Sequence, residues 1–354
     1  MKKIAFFFVL CALFFSCETE ITDFKTQNLS KAIVVYGELT NINGPYRVRI
    51  NRTSAYSPFD VAEFAGEAIQ KADVKIIDGL GNIAQLTEIR AGYYQTNALF
   101  KGAIKQKYQL KIKTSDGLEI ESDFEELKAA TSLSEFSSKF INAEKVEDMK
   151  FELKATIKDS KETEDYYFIK RQDYIHFLTT CPEPPPPPAP VPPCFPKCWR
   201  APLNTQPILL NDFLVNGKNI PLELGIVGLE DFPEWVVQLD IFAVSKDIYN
   251  YWKRQEEQRL IGGGIFDKIP AQIIGNLKCT NKPEQQVLGL FLVGGLSKQR
   301  LTIDRFKEIP LDVYQKVVQY ADFKDIRYKN LKLWDCKNAG FVDYNIGYDL
   351  PPLF

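Results

Sequence analysis

Apolar and polar residues alternate along much of the chain, and the alternation locates strands. Ala32–Leu39 (AIVVYGEL) is an apolar run that reads as a strand. Asn43-Gly44-Pro45 follows as a turn. Tyr46, Val48 and Ile50 then alternate with Arg47 and Arg49, which predicts a hairpin with one buried face. The same period of two recurs in Ala72–Ile77 (ADVKII), closed by Asp78-Gly79 and Gly81-Asn82, and in Ile83–Ile89. Gly92-Tyr93-Tyr94 opens another short strand. Tyr108, Leu110 and Ile112 alternate with Gln109, Lys111 and Lys113, and Asp116-Gly117 turns the chain into Leu118–Ser122. About seven short strands with Gly/Asn/Asp turns, in roughly a hundred residues, predict an immunoglobulin-like or transthyretin-like sandwich over residues 31–130.

The pattern loosens beyond residue 130. Lys150–Lys158 and Asp165–Asp173 (DYYFIKRQD) are expected to pair as strands. Ile208–Val215, Trp235–Val244 and Gln286–Val293 are further strand segments. One segment has helical spacing: Ser245 fits an N-cap, Ile248, Tyr251, Trp252 and Gln255 follow, and Gly262-Gly263-Gly264 stops the helix after about Leu260. Residues 131–354 therefore read as a second β-rich domain containing one helix, arranged as a second sandwich. The whole chain is expected to be mostly β. Pro182–Pro193 (PEPPPPPAPVPP) interrupts this domain as a stiff polyproline II loop. Cys181 and Cys194 flank it, and that position suggests a disulfide between them that closes the loop.

The first residues bear on compartment. Lys2 and Lys3 precede an apolar run from Ile4 to Phe15, then Ser16 and Cys17. A positive start, a short apolar stretch and a small residue before Cys predict a lipoprotein signal peptide over 1–16, with lipid attached to Cys17. Ordinary secretion, with Cys17 incidental, is the rival reading. Residues 17–30 are polar and read as a tether. Forty-four basic residues against 46 acidic ones give no basic excess, which argues against a nucleic-acid partner. With residues 1–16 removed and Cys17 lipidated, Cys181, Cys194, Cys198, Cys279 and Cys336 remain. An oxidising envelope allows disulfides among them, but five is odd, so at least one thiol stays free or pairs elsewhere. Zinc is disfavoured: Pro196 separates Cys194 from Cys198, no second cysteine pair clusters with them, and His176 is the one histidine.

Candidate chemistry is sparse, and neither a cofactor nor a metal is expected. The triple glycine follows a helix instead of leading into one, so it is a helix stop and not a phosphate cradle. His176, between Ile175 and Phe177, is expected at a domain surface without a nucleophile motif near it. Glu162, Glu164 and Asp165, or Glu230 and Asp231, could in principle form a carboxylate pair for glycoside hydrolysis, but they sit in polar turns. Asp78, Asp116 and Asp123 are conceivable calcium ligands; without a D-x-D-x-D loop, turn formation explains them more simply. Aromatic content is 13%. Tyr93-Tyr94, Tyr166-Tyr167 and the group Tyr249, Tyr251, Trp252 could stack on sugars, while core filling accounts for most such rings.

The ordered set of segments also carries a resemblance. Cys17-Glu18, IVVYGELTN, GPYRVRINRTSAY, ADVKIIDGLGN, AGYYQTN, YQLKIKTSDG, Cys198-Trp199, IYNYWK, GGGIFDKIPAQIIGN and EQQVLGLFLVGG together resemble the Bacteroidota lipoproteins grouped as domain-of-unknown-function family 4249. The proline-rich insert and the tail DYNIGYDLPPLF depart from that pattern. Acidic residues behind Cys17 resemble surface-export signals of such lipoproteins. The resemblance implies an outer-membrane lipoprotein on the extracellular face, with the periplasmic face as the alternative, acting as an accessory subunit of a TonB-dependent receptor. It also implies Cys198 and Cys279 as a structural pair, and it carries over no catalytic residue. An independent surface glycan or peptide binder is the alternative, and an envelope hydrolase a third.

Overall fold

The computed structural model describes residues 31–54, 66–178, 197–202, 206–229, 234–260, 272–317 and 344–347. Its early strands are β1 (Ile33–Thr40), β2 (Arg47–Arg52), β3 (Glu67–Ala68), β4 (Asp73–Asp78), β5 (Ile83–Arg90), β6 (Tyr93–Gln95), β7 (Lys107–Lys113), β8 (Glu119–Ser122) and β9 (Glu125–Glu126). Then come β10 (Ser132–Ile141), β11 (Lys150–Lys158), β12 (Tyr166–Leu178), β13 (Lys197–Pro202), β14 (Ile208–Asn211), β15 (Asn219–Gly228) and β16 (Glu234–Val244). Helix α1 (Lys246–Arg259), β17 (Leu277–Cys279), β18 (Val287–Asp304), the one-turn helix α2 (Arg305–Glu308) and β19 (Tyr344–Gly347) follow, with a short 3-10 turn at Val146–Asp148 between β10 and β11 and further helical residues at 311–317. The fold is mostly β, as the alternation predicts.

The first unit is a curled sheet whose two layers close on each other. One layer holds β1, β2, β3 and β6; the other holds β4, β7, β8 and β9. Strand β5 serves both: Ile83–Leu86 pair with β4, and beyond them Thr87–Arg90 pair with β6, with a register shift between Glu88 and Arg90. Irregularities of this kind bend a strand from one sheet into the next. Inward residues at every second position fill the space between layers. Val48, Ile50, Val74, Ile76, Leu110, Ile112 and Ile120 are all buried there. Residues 31–130 do not finish this core alone. β17 adds to β8, and the first half of β18 runs parallel to β1, bringing Leu277, Cys279, Phe291 and Val293 into the same cluster.

Strand β18 spans both units. Val287–Gly294 pair with β1, and Gly295–Asp304 pair antiparallel with β16. Close approach at its start requires glycine: Gly289 has φ +101°, and a Cβ there would lie 1.8 Å from the Val35 carbonyl oxygen.

The second unit packs β18, β16 and β12 against a separate sheet in the order β10-β11-β15. Strand β11 occupies Lys150–Lys158, as its alternation predicts. Its expected pairing with the Asp165–Asp173 segment does not occur. β11 bonds β10 and β15, while β12 bonds β16, β13 and β14. The two strands instead face each other across one core, with Phe151, Leu153 and Ile157 opposite Tyr167 and Ile169. The far face of β12, β16 and β18 carries a third cluster of Phe168, Phe242, Leu290, Leu292 and Leu296, covered by Ile248 and Tyr249 of α1. Ser245 caps that helix as expected, its Oγ accepting from Ile248 N at 3.3 Å.

Candidate functional site

Beyond the apolar patch under α1, the same sheet face turns polar. Cross-strand pairing sets Lys170 opposite Asp240 and Asp240 opposite Lys298, and in the next row Gln172 opposite Gln238 and Gln238 opposite Arg300. Residues directly opposed across a ladder share a face. Lys170 Nζ donates to Glu38 Oε2 of β1 at 3.3 Å and lies 5.0 Å from the centre of the Phe242 ring. Gln238 Nε2 donates to Asp240 Oδ1 at 2.7 Å, and its Oε1 accepts from Arg300 Nε at 2.7 Å. Lys298 reaches Asp240 at 3.8 Å.

Partial burial tunes these groups. Desolvation pulls the Lys170 ammonium down, but Glu38 and Tyr36 outweigh it and hold it above its ordinary value. Burial raises the Tyr36 hydroxyl against the opposing effect of Lys170, and raises Tyr174 against Arg300. One row thus carries alternating charges, and the next carries two hydrogen-bonding amides and Arg300. Such a surface suits recognition of a polar partner more than proton transfer. The strand DYYFIKRQD is legible in the sequence; its alignment with Ser297–Arg300 is not, because β18 continues well past the apolar run that signals it.

The first unit carries an open groove of about 340 Å3. Asp78, Asn82, Gln85, Asn97 and Lys101 line it with Phe100 and Tyr108. Asp78 accepts from Leu80 N, Asn82 N and Asn82 Nδ2 at 2.8–2.9 Å, and Asn82 above all holds its carboxyl below the usual range. Ile83 lines the groove as well, and it is strongly exposed, as are Leu80 and Leu99.

The residues singled out from sequence are scattered. His176 is buried in β12, not at a surface, and its ring lies 5.0 Å from that of Trp199 on β13. Asp116 pairs with Arg52 and Thr114, and Asp123 with Lys278 at 3.5 Å, so neither joins Asp78. Glu164 turns to Tyr166 and Lys246. Asp165 converges instead with Asp159 and Asp212, their ligand atoms within 4.8 Å of one another. Cys279 is buried with a free thiol that donates to Asn281 Oδ1 at 3.4 Å, so its implied bond to Cys198 is not made. The two sit on β17 and β13, near opposite ends of the strand order. Of the paired aromatics, Tyr94, Tyr167 and Tyr249 are core residues. The expectations for Cys17, Cys181, Cys194, Cys336, Gly262–Gly264, Glu230 and Asp231 lie outside the described residues.

Among known protein families, the one described as "Domain of unknown function (DUF4249)" matches residues 19–300. No curated protein and no solved structure matches the chain.

Proposed function

The chain belongs to that DUF4249 family, and from this premise we propose that it is a non-enzymatic, lipid-anchored envelope protein serving as accessory subunit of a TonB-dependent uptake complex at the outer membrane. The order of segments carries the reading: Lys2-Lys3, an apolar run to Phe15, Ser16-Cys17, a polar stretch, and a family match that opens at residue 19, just behind Cys17. Two acyl chains on Cys17 would supply stable anchoring without a membrane-crossing helix. The mixed-charge face from Glu38 to Arg300 supports a role in holding a polar partner, because charge complementarity selects partners more than it adds affinity. Pull-down of the tagged full chain from its native membrane in mild detergent, with mass spectrometry, tests the reading. A TonB-dependent receptor in stoichiometric amount is the expected result; recovery of the chain alone refutes it.

One observation favours the alternative of an independent surface binder. The groove beside Asp78 offers amides, a lysine and two aromatic rings around a volume suited to a small polar ligand. A glycan and peptide array probed with the chain discriminates the two readings.

A further inference from the structure

Asp212 is a buried carboxylate without a side-chain partner among the described residues. It is 0% exposed, and neither Oδ1 nor Oδ2 receives a hydrogen bond from them. Burying an ionised carboxylate this way is costly unless a counter-charge or a proton meets it. Two further carboxylates share the spot: one oxygen each from Asp159, Asp165 and Asp212 lie within 4.8 Å of one another.

The surroundings hold these acids in place. Asp159 Oδ1 accepts from Tyr167 OH at 2.8 Å, and its Oδ2 from Gly217 N at 2.7 Å. Asp165 Oδ2 accepts from Thr163 Oγ1 at 2.9 Å, and its carbonyl from Asp212 N at 3.2 Å. Asn216 Nδ2 donates to Thr163 O at 3.2 Å. Two chain segments therefore meet, the loop 159–165 between β11 and β12 and the turn 212–218 between β14 and β15. Lys128 acts on Asp165, but its ammonium is engaged by Glu126 at 3.4 Å.

We propose that Asp159, Asp165 and Asp212 form a divalent-cation site of the calcium class that ties these two segments together. All three donors are hard oxygens, which select calcium over zinc or copper. Calcium–oxygen distances of about 2.3–2.6 Å allow ligand oxygens up to roughly 5 Å apart, so the observed cluster fits without moving the backbone. Three carboxylates with oxygens within 4.8 Å of one another repel, and a dication between them balances most of the charge.

Calorimetric titration of Ca2+ into the chelator-stripped full chain in detergent tests the site, with thermal unfolding in parallel. One Ca2+ per chain is expected, with affinity in the range of about 10⁻⁶–10⁻³ M, and a rise in melting temperature. Terbium provides a second readout, since Tyr167 stands close enough to Asp159 to sensitise its emission. Asp212→Asn is expected to weaken binding by about tenfold or more, while Asp116→Asn, at the Arg52 pair, leaves it unchanged. Should Asp212→Asn fail to fold, Asp165→Asn decides in its place. Absence of heat and of thermal shift at millimolar Ca2+ overturns the proposal, as does undiminished binding in the substituted chain. Tighter binding of Mg2+ than of Ca2+ overturns the calcium assignment.

Discussion

The side chain of Asn276 hydrogen-bonds both backbone groups of Phe291: Oδ1 accepts from Phe291 N and Nδ2 donates to Phe291 O, each at 2.9 Å. Phe291 belongs to the half of β18 that lies against β1, and the amide thus stands in for a neighbouring strand. Asn276 Nδ2 also reaches Glu125 Oε1 at 3.1 Å, and its carbonyl accepts from Asp123 N at 2.8 Å. The side-chain contacts are buried, and the one to Glu125 joins residues 151 positions apart. Asn276→Ala would strand a buried N–H and a buried C=O. It is expected to lower stability by about 2–4 kcal/mol in urea unfolding. A loss no larger than that of an exposed Asn would show that the contact is incidental.

Gly289 tests the junction of the two units. Any Cβ there meets the Val35 carbonyl oxygen at 1.8 Å, on a backbone with positive φ. Gly289→Ala is expected to cost at least about 3 kcal/mol or to abolish soluble expression, beyond ordinary overpacking. Gly81 also has positive φ, but a Cβ added there meets nothing within 4 Å, so Gly81→Ala should cost only about 1–2 kcal/mol. Equal melting temperatures for the two variants would contradict the close-approach argument.

Three acids, Glu125 and Asp212 buried and Asp165 half-buried, set a pH dependence. Burial raises Glu125, against hydrogen bonds from Ser245 and Asn276 and with Asp247 and Asp123 adding to the rise; burial also raises Asp165 and Asp212. Their folded-state values lie above the ordinary 4.5 and 3.8, so the folded chain binds more protons than the unfolded chain over that window. Their contribution to stability therefore falls as pH rises from the ordinary value through the raised one. In chelator, the unfolding free energy attributable to these groups is expected to be greater at pH 5 than at pH 7. The difference should shrink in Glu125→Gln. An identical pH slope in the variant would remove Glu125 from the account.

Cys279 is expected to resist alkylation in the native state and to react fully on denaturation, because its thiol is buried and bonded to Asn281. Non-reducing peptide mapping should find no peptide linking it to Cys198. Recovery of that linked peptide would reverse the finding.

Cys17→Ala tests the proposed anchor. The variant is expected to lose metabolic labelling by fatty acid and to leave the membrane fraction. Retention of both would point to a different attachment.

Local pattern determined the longer strands between residues 31 and 130, the cap and extent of α1, and the mostly β class. Each depends on residues two to four positions apart: Tyr108, Leu110 and Ile112 share one face of β7 whatever they pack against, and Ser245 reaches Ile248 within one turn. Pairing across long sequence separations was decided only by the tertiary structure. On one side β1 pairs with β2, the predicted hairpin, but its partner on the other side is β18, roughly 250 residues away, and nothing in IVVYGELT specifies it. The expected β11–β12 pairing failed because two alternating strands suit opposite walls of one core as well as adjacent places in a sheet. The carboxylate site was hidden for the same reason. Asp159 and Asp165 flank a polar turn that looks solvated, and Asp212 falls inside Ile208–Val215, which reads as a strand; only the folding of β14 onto β12 buries Asp212 and brings the three carboxylates together.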